Sequence, residues 1–382
     1  MKFLFVCGGS AGHINPALAI AEELRQKAPG SEILFVGADK TLEKRLIPEA
    51  GFDLVNIRMS GLRRSLSPGD IIHNMKTACN LFTASLKSAK LLKEYKPDAV
   101  IGTGGYINYP VLKKAAKMGI STYVLEPNAH PGLAVRMLSS IADKIFVTYE
   151  GLESSYKCPE RIVYNVSPLR SEFLEKNSAF EIDDKYTEYA SRQKERPLVV
   201  SYWGSLGAAN MNNKILDLIK QNVKERRFNH IHATGISGSA EVMKDRLTSM
   251  GVTEIEPPLA DIREYINKMP EVMRAADIVI SRAGASTIVE LTSTGKPAIL
   301  IPSPNVTENH QEENARQLQK AGGAIMILES ECNGKMLFDT VTSLLENKEK
   351  LKNMSKAQKS LSVSDAAARI VDIVLGDNKN KK

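Results

Sequence analysis

The sequence predicts an α/β protein of two Rossmann-like domains facing each other across a cleft, and three observations predict it. DAVIGTGG at 98–105 is echoed by DIVISRAG at 277–284: an Asp, a short apolar run and a small-residue loop ending in Gly. KFLFVCGGSAGH at 2–13 is echoed by PLVVSYWGSLGA at 197–208, each an apolar strand running into glycines and then a helix. At 382 residues the chain exceeds the length at which single cores usually split, so two domains are expected. The apolar runs read as buried strands of parallel sheets. Ligands of open α/β sheets bind beyond the carboxyl ends of such strands, where these glycine loops lie. Two similar halves make one cleft with two walls, which suits an enzyme with two substrates.

In chain order the first half alternates strand and helix. Strands are expected at 2–7, 32–36, 53–57, 99–102, 121–125 and 144–148, and helices at 16–28, 40–50, 71–95, 108–118 and 132–141. The first helix is placed by Asn15 as a good N-cap and Pro16 as a good first helical residue. The segment 165–170 (NVSPLR) carries Asn, Ser and Pro and is the hinge candidate. After a polar stretch at 175–196 the second half restarts at Pro197, with strands at 198–203, 229–234, 253–256, 277–281, 298–302 and 324–327 and helices between them. Helices at 336–347, 349–360 and 365–375 follow, and the charged end DNKNKK reads as a disordered tail. The expected division is 1–165, 166–360 and a C-terminal piece 361–382.

Composition narrows the function classes. A content of 43% hydrophobic and 25% charged residues is that of a soluble globular protein. Cys7, Cys79, Cys158 and Cys332 lack paired CxxC spacing, which argues against a structural zinc site and a disulfide framework and for a reducing cytoplasm. The apolar run in MKFLFVCGG is too short for a signal peptide, and no stretch of the sequence is long and apolar enough to span a membrane.

Charge is concentrated. From Arg58 to Lys96 eight Lys or Arg stand against two acids, a local net charge of +6 in a chain of +7. Within it Met75, Ala78, Cys79, Phe82, Leu86 and Ala89 recur at helical spacing as a one-sided apolar stripe. The preceding loop sets Leu62 and Leu66 around Arg63 and Arg64. Two readings stand: a core-packed helix with a solvated basic face, or an apolar tip with basic flanks docked on an anionic membrane surface. Nucleic acid is disfavoured, because aromatics are not interleaved with the basic residues.

The loops carry the chemistry. CGGSAGHINPA is neither a dinucleotide GxGxxG fingerprint nor a P-loop. Gly8, Gly9 and Gly12 nonetheless let backbone N–H groups approach a ligand, and a helix start behind them favours phosphate by about 0.3–2 kcal/mol from its dipole. His13 sits at that rim, where little packing would justify it. In RAGASTIVELTSTGKP, Thr287 and Glu290 have capping-box spacing, and Gly295 with Pro297 stops the helix. Glu290 therefore has two readings, a cap on its own helix or a carboxylate accepting from a ribose diol.

Seven segments in order, GGSAGHINPA, GTGGY, EPN with PG, GSLGA, SRAGASTIVEL, GKPAILIPSP and NHQEENA, together span about 320 residues. This ordered set resembles the MurG glycosyltransferase family, which moves N-acetylglucosamine from UDP onto an undecaprenyl-diphosphate-linked muramyl peptide. The resemblance implies a GT-B fold, an acceptor-binding N-domain peripheral to the cytoplasmic face of the plasma membrane, a UDP-GlcNAc-binding C-domain and a last helix returning to the N-domain. It implies no cofactor, and as partners UDP-GlcNAc, a polyprenyl-diphosphate-linked acceptor and an anionic membrane surface. By this likeness Glu290 matches the ribose-binding acid, with Arg282 and Ser286 in the same donor loop. His310 and Gln311 match the sugar contacts, and Arg170, Gly204, Ser205 and Gly207 the donor-diphosphate contacts. His13, Gly9, Ser10, Gly12, Gly104, Gly105, Tyr106, Glu126 and Asn128 fall on the acceptor side.

The departures cluster. Ser10 and Ala11 stand where the family has Thr and Gly, Leu125-Glu126-Pro127-Asn128 where it has HEQN, and Trp203 and Leu206 where it has Gly and Gln. That pattern fits a divergent member or a paralogue with a changed acceptor. An inverting transfer needs a base for the acceptor hydroxyl, His13 or failing that Glu126, and stabilisation of the leaving UDP. The sequence contains no Asp-x-Asp to hold Mg²⁺ on a diphosphate, so metal-independent chemistry is expected, with Arg170, loop amides and helix dipoles meeting the charge. A UDP-GlcNAc epimerase and a non-catalytic UDP-sugar-binding subunit are the rival classes.

Overall fold

The structure is a computed structural model that describes residues 1–61, 67–151, 153–164, 166–174, 196–236, 238–252, 259–306 and 309–379. The chain divides into two compact units, Met1–Ser171 with Val363–Lys382, and Glu172–Ser362. The loop 62–66, the expected strand 253–256 and nearly all of the stretch 175–196 lie outside the described residues.

The first unit is a seven-stranded parallel sheet, ordered β3-β2-β1-β4-β5-β6-β7. Its strands are β1 (Lys2–Cys7), β2 (Glu32–Gly37), β3 (Asp53–Asn56), β4 (Ala99–Gly104), β5 (Ser121–Glu126), β6 (Lys144–Val147) and β7 (Ile162–Val163). Its helices are α1 (Ala11–Lys27), α2 (Thr41–Glu49), α3 (Pro68–Tyr95), α4 (Asn108–Lys117) and α5 (Leu133–Leu138); α6 (Ser171–Leu174) then opens onto the second unit. Alternation along β1 builds two cores. Phe3, Phe5 and Cys7 face Ala17, Ile20 and Leu24 of α1, whereas Leu4 and Val6 face α3, α4 and α5.

The second unit repeats the plan with a six-stranded sheet, ordered β10-β9-β8-β11-β12-β13. Its strands are β8 (Leu198–Tyr202), β9 (Asn229–Ala233), β10 (Asp261–Arg263), β11 (Ile278–Ser281), β12 (Ala298–Leu300) and β13 (Ala324–Met326). Its helices are α7 (Ala209–Glu225), α8 (Ala240–Ser249), α9 (Met269–Ala275), α10 (Ala285–Thr294), α11 (His310–Lys320), α12 (Gly334–Glu346) and α13 (Lys348–Ser360). The last helix, α14 (Ala366–Lys379), belongs to the first unit. It packs on α1, where Lys27 Nζ meets Asp372 at 2.6 Å, and Tyr123 donates to Asp377 at 3.2 Å.

The internal repeat has a structural cause. Asp98 accepts from the Lys2 N–H at 2.8 Å while its own N–H donates to the Lys2 carbonyl at 2.8 Å. Asp277 does the same with Leu198, at 2.8 Å in both directions. Each Asp therefore fixes the register of a central strand pair, β1 with β4 and β8 with β11. Within each unit the loops after the two paired strands open side by side where the strand order reverses, the place for ligands in such sheets.

Two expectations are corrected. Helix α1 begins at Ala11, because His13 and Ile14 both donate to the Ser10 carbonyl; Ser10 is the N-cap, Asn15 is not, and Pro16 lies inside the helix. The charged end is helical through Lys379, with Asn378 buried and donating to the Val374 carbonyl and Tyr123 hydroxyl. The hinge candidate 165–170 immediately precedes the boundary between the units; within it Val166, Ser167 and Leu169 are buried and Val166 N–H donates to the Val147 carbonyl.

Helix α3 also departs from the core-packed reading. Its inward face is Thr77, Ala84, Ser88 and Leu92, and polar hooks near its start hold the segment leaving β3: His73 Nε2 donates to the Gly61 carbonyl at 3.0 Å and Thr77 meets Ser60 at 2.8 Å. The apolar stripe is thereby turned outward, with Met75 67% and Phe82 68% exposed and Ile71, Ile72 and Leu86 beside them. No helix among the described residues is long and apolar enough to cross a membrane.

Candidate functional site

The first half-site gathers at the carboxyl ends of β1, β4 and β5. After Cys7 the chain turns through Gly8 and Gly9 (φ +91°) into α1, with Gly12 in the helix's first turn. The Gly9 N–H does not point outward to a ligand. It donates to Glu43 Oε1 at 2.7 Å, and Glu43, fully buried on α2, also accepts from Lys40 N–H at 3.2 Å. A Cβ on Gly8 would lie 2.8 Å from Glu43 Oε1 and one on Gly37 2.6 Å from Oε2, so two glycines make room for the carboxylate. Glu43 was not singled out in the sequence: Oε2 caps its own helix from the third position, but Lys40 rather than Ser or Thr stands at the N-cap, and the Gly9 partner of Oε1 is 34 residues away.

His13 stands over this turn. Its Nδ1 lies 2.8 Å from the Gly8 carbonyl, which can only accept, so Nδ1 carries the proton and Nε2 the basic lone pair. Ser10 Oγ is 3.4 Å from the same Nδ1. Thr103 donates to the His13 carbonyl at 2.7 Å. Gly104 (φ +128°) lies against the ring, where a Cβ would be 2.2 Å from Cδ2, and a Cβ on Gly105 would meet the Gly8 carbonyl at 2.4 Å. Both glycines are thus required by close approach as well as by conformation. Asn108 donates to the carbonyls of Gly104 and Gly105 and fixes their loop, another role the sequence did not disclose. Tyr106 is 40% exposed beside them, its ring against Gly61.

Glu126, at the end of β5, is buried and accepts from Asn128 N–H at 3.0 Å, Asn128 Nδ2 at 2.9 Å and Gly132 N–H at 2.9 Å. Both carboxylate oxygens hold the 126–132 turn together. With both of its oxygens committed to that turn, Glu126 has the poorer geometry of the two candidate bases and His13 the better.

The second half-site gathers at β8, β11 and β12. Gly204 (φ +80°) and Gly207 (φ +78°) shape the turn into α7, and Ile236 N–H donates to the Ser205 carbonyl at 3.1 Å. A Cβ on Gly207 would lie 2.1 Å from the Thr234 carbonyl. Leu206 is 75% exposed at the turn's tip. Beneath it, a chain of buried side chains runs from His230 Nε2 to Ser201 Oγ at 2.8 Å, Ser201 Oγ to His232 Nδ1 at 2.7 Å, and His232 Nε2 to Asn212 at 3.2 Å. Asn212 in turn donates to the Thr234 carbonyl at 3.1 Å. Burial pushes His230 down to about 3 and His232 well below its ordinary value, so both rings are neutral.

Arg282 is committed to the protein itself. It donates to the carbonyls of Ile301 and Pro302 at 3.1 and 3.2 Å, pairs with Glu329 at 2.6 Å and lies 5.8 Å from the Trp203 ring centroid. Burial opposes ionisation of Glu329, but hydrogen bonds from Asn210 and Arg282 outweigh it and hold the carboxyl below its usual value. Trp203 therefore fills the core under the loop. Arg170 falls among the last residues of the first unit.

Helix α10 is N-capped by Gly284, so Thr287 is its third residue and Glu290 its sixth. The capping-box reading of Glu290 is overturned: the helix starts three residues too early for it. Gly295 (φ +65°) ends the helix as expected. The Glu290 charge, after burial, helps to push the Tyr202 hydroxyl well above its ordinary value, which places that carboxylate near the end of β8. Ser286 lies in the first turn of α10. His310 and Gln311 open α11; Gln311 Oε1 accepts from Ser303 N–H at 2.9 Å, and buried Asn314 donates to the Ala283 carbonyl at 3.0 Å, tying α11 to the loop before α10.

Comparison with known proteins agrees with this architecture. Residues 3–147 match the glycosyltransferase family 28 N-terminal domain and residues 198–370 the glycosyltransferase family 28 C-terminal domain. A UDP-N-acetylglucosamine–N-acetylmuramyl-(pentapeptide) pyrophosphoryl-undecaprenol N-acetylglucosamine transferase of Acetivibrio thermocellus is 39% identical, covering 100% of this chain and 99% of that protein. The crystal structure of MurG from Acinetobacter baumannii superposes with a TM-score of 0.71 at 22% identity, covering 98% of this chain and 100% of the other. A UDP-GlcNAc 2-epimerase from Neisseria meningitidis bound to UDP-GlcNAc superposes with 0.69 at 15% identity, covering 98% and 100%. At those identities the two structures speak to the two-domain fold alone.

Proposed function

The chain belongs to glycosyltransferase family 28, among the MurG transferases, and from that premise we propose that it transfers N-acetylglucosamine from UDP-GlcNAc to a lipid-diphosphate-linked muramyl-pentapeptide acceptor. One observation carries the activity: the 39% identity to such a transferase runs over the whole chain, through both glycine-loop half-sites.

The chemistry follows from the residues in hand. His13, its Nδ1 proton held on the Gly8 carbonyl, takes the acceptor hydroxyl proton at Nε2. The hydroxyl oxygen bonds the sugar's anomeric carbon as the bond from that carbon to the UDP oxygen breaks, and the diphosphate leaves with the electron pair. Its growing charge is met by the amides of the Gly204–Gly207 turn and by the N-termini of α7 and α10. Glu290 accepts from the ribose diol, and Gln311 with His310 contacts the sugar. Glu126 and Asn128 shape the acceptor wall beside Tyr106. We assign inversion at the anomeric carbon and no divalent cation. Product of inverted configuration, formed at full rate with EDTA present, is the expected result; loss in EDTA restored by Mg²⁺ would refute the metal-independent part.

The acceptor is anchored in a bilayer, so the first unit works on a membrane surface. Supporting this is the outward stripe of α3, with Lys76, Lys87, Lys90 and Lys93 exposed beside it. Such a face inserts apolar side chains while each lysine near anionic head groups contributes about 1 kcal/mol. Gly61 joins α3, through His73, to the Tyr106 ring, so the stripe and the acceptor loop share one rim. UDP-GlcNAc is charged and does not cross bilayers, which assigns the protein to the cytoplasmic face as a peripheral protein.

A further inference from the structure

Glu43 has no place in the mechanism above, yet it is a fully buried carboxylate directly behind the assigned base. Its Oε1 accepts the Gly9 N–H at 2.7 Å, and the Gly8 carbonyl accepts His13 Nδ1–H at 2.8 Å. Gly8 C=O and Gly9 N–H are the two ends of one peptide group. We propose that Glu43 is a positioning residue for transfer, acting on His13 through the Gly8–Gly9 peptide as a carboxylate–peptide–imidazole relay.

The physics is that of cooperative hydrogen bonding. A negative charge on the N–H side of a peptide polarises the group and makes its carbonyl a stronger acceptor. The strengthened carbonyl holds the imidazole in the Nδ1–H tautomer and stabilises the imidazolium that forms when Nε2 takes the acceptor proton. A carboxylate bonded directly to Nδ1 would do the same. The surroundings keep the relay intact. Gly8 and Gly37 leave space in which a Cβ would strike the carboxylate, and Gly104 holds the far side of the ring. Around the line stand Cys7 of β1, whose thiol is pushed up by burial and then by the Glu43 charge, Ser10 beside Nδ1, and the uncharged Gly104 and Gly105 of the β4 loop. Lys44 is held by Asp39 at 2.6 Å on the loop before α2. The inference rests on His13 as the base, and its test separates the two.

In the wild-type chain, imidazole nitrogen NMR should show His13 as the Nδ1–H tautomer; an Nε2–H tautomer overturns the relay with no variant needed. Glu43→Gln keeps the shape and removes the charge. The His13 titration, and with it the acid limb of kcat/KM for acceptor, should move down by about one pH unit. kcat should fall about tenfold with KM for UDP-GlcNAc unchanged. In a His13→Ala background, Glu43→Gln should cost nothing further. An unmoved His13 titration, or an equal loss in both backgrounds, makes Glu43 a mere loop support and overturns the proposal. Wild-type turnover by His13→Ala would instead sink the base assignment, and the titration would still decide whether the relay exists.

Discussion

Glu290 is the residue where structure changed the stakes of an experiment. With Gly284 as N-cap it is the sixth residue of α10, so Glu290→Gln breaks no cap and should change stability by less than about 0.5 kcal/mol. If its carboxylate accepts from the ribose diol, the change removes a charged acceptor from a hydrogen bond that contributes about 1.5–3 kcal/mol. At 1.4 kcal/mol per decade, the Kd for UDP-GlcNAc should rise about 10- to 150-fold. Titration calorimetry of wild type and variant, each against UDP-GlcNAc and its 2′-deoxyribose analogue, reads this directly. The wild type should discriminate between the two ligands and the variant should discriminate less. An unchanged Kd in a variant with an unchanged melting temperature would refute the ribose assignment.

Gly104→Ala should drive a methyl group into the His13 ring and lower acceptor kcat/KM about 100-fold while leaving UDP-GlcNAc affinity intact, and an unaltered rate would show that the ring is not held there. Phe82→Glu on the exposed stripe of α3 should keep the melting temperature and weaken salt-sensitive binding to phosphatidylglycerol vesicles, as should Arg63→Glu with Arg64→Glu in the loop outside the described residues; wild-type binding by both would remove this face as the docking surface. His230 and His232 are neutral when folded but take up protons near pH 6.5 when unfolded. Stability is therefore full above pH 6.5 and is lost as pH falls from there toward about 3, by up to about 1.4 kcal/mol per pH unit for each histidine. Urea midpoints at pH 7 and pH 5.5 should differ accordingly, with His230→Gln reducing the difference; equal midpoints for the wild type would contradict it.

What the sequence disclosed is what short-range physics controls. The central strands of both sheets were legible because runs such as Phe3–Val6 and Ile278–Ile280 are buried on both faces and must be apolar, whereas the short edge strands β7 (Ile162–Val163) and β10 (Asp261–Arg263) carry no such run and were not expected. The Asp98 and Asp277 repeat was legible because each Asp clamps a strand pair and so must sit at the same offset from its glycines. Local signals failed where tertiary contacts outweighed them. Asn15-Pro16 has the local chemistry of a helix start, but the Gly8–Ser10 turn, held by Glu43, begins α1 earlier. The α3 stripe showed an amphipathic helix without showing which face turns inward; Thr77 and Ser88 take the interior because they pack closely and find hydrogen-bond partners. Asn212, the His230–Ser201–His232 chain and the Glu43 contact to Gly9 were invisible for one reason: the partners lie on other elements.

The measurement that bears most directly on the account is a single reaction, radiolabelled UDP-GlcNAc with undecaprenyl-diphosphate-linked N-acetylmuramyl pentapeptide in anionic vesicles, with label and UDP followed together. Label should enter the lipid phase one-for-one with UDP released, and His13→Ala should lower both by about 10²–10⁴-fold. Label left in water as free N-acetylglucosamine or N-acetylmannosamine, or transfer at the wild-type rate by His13→Ala, would contradict it.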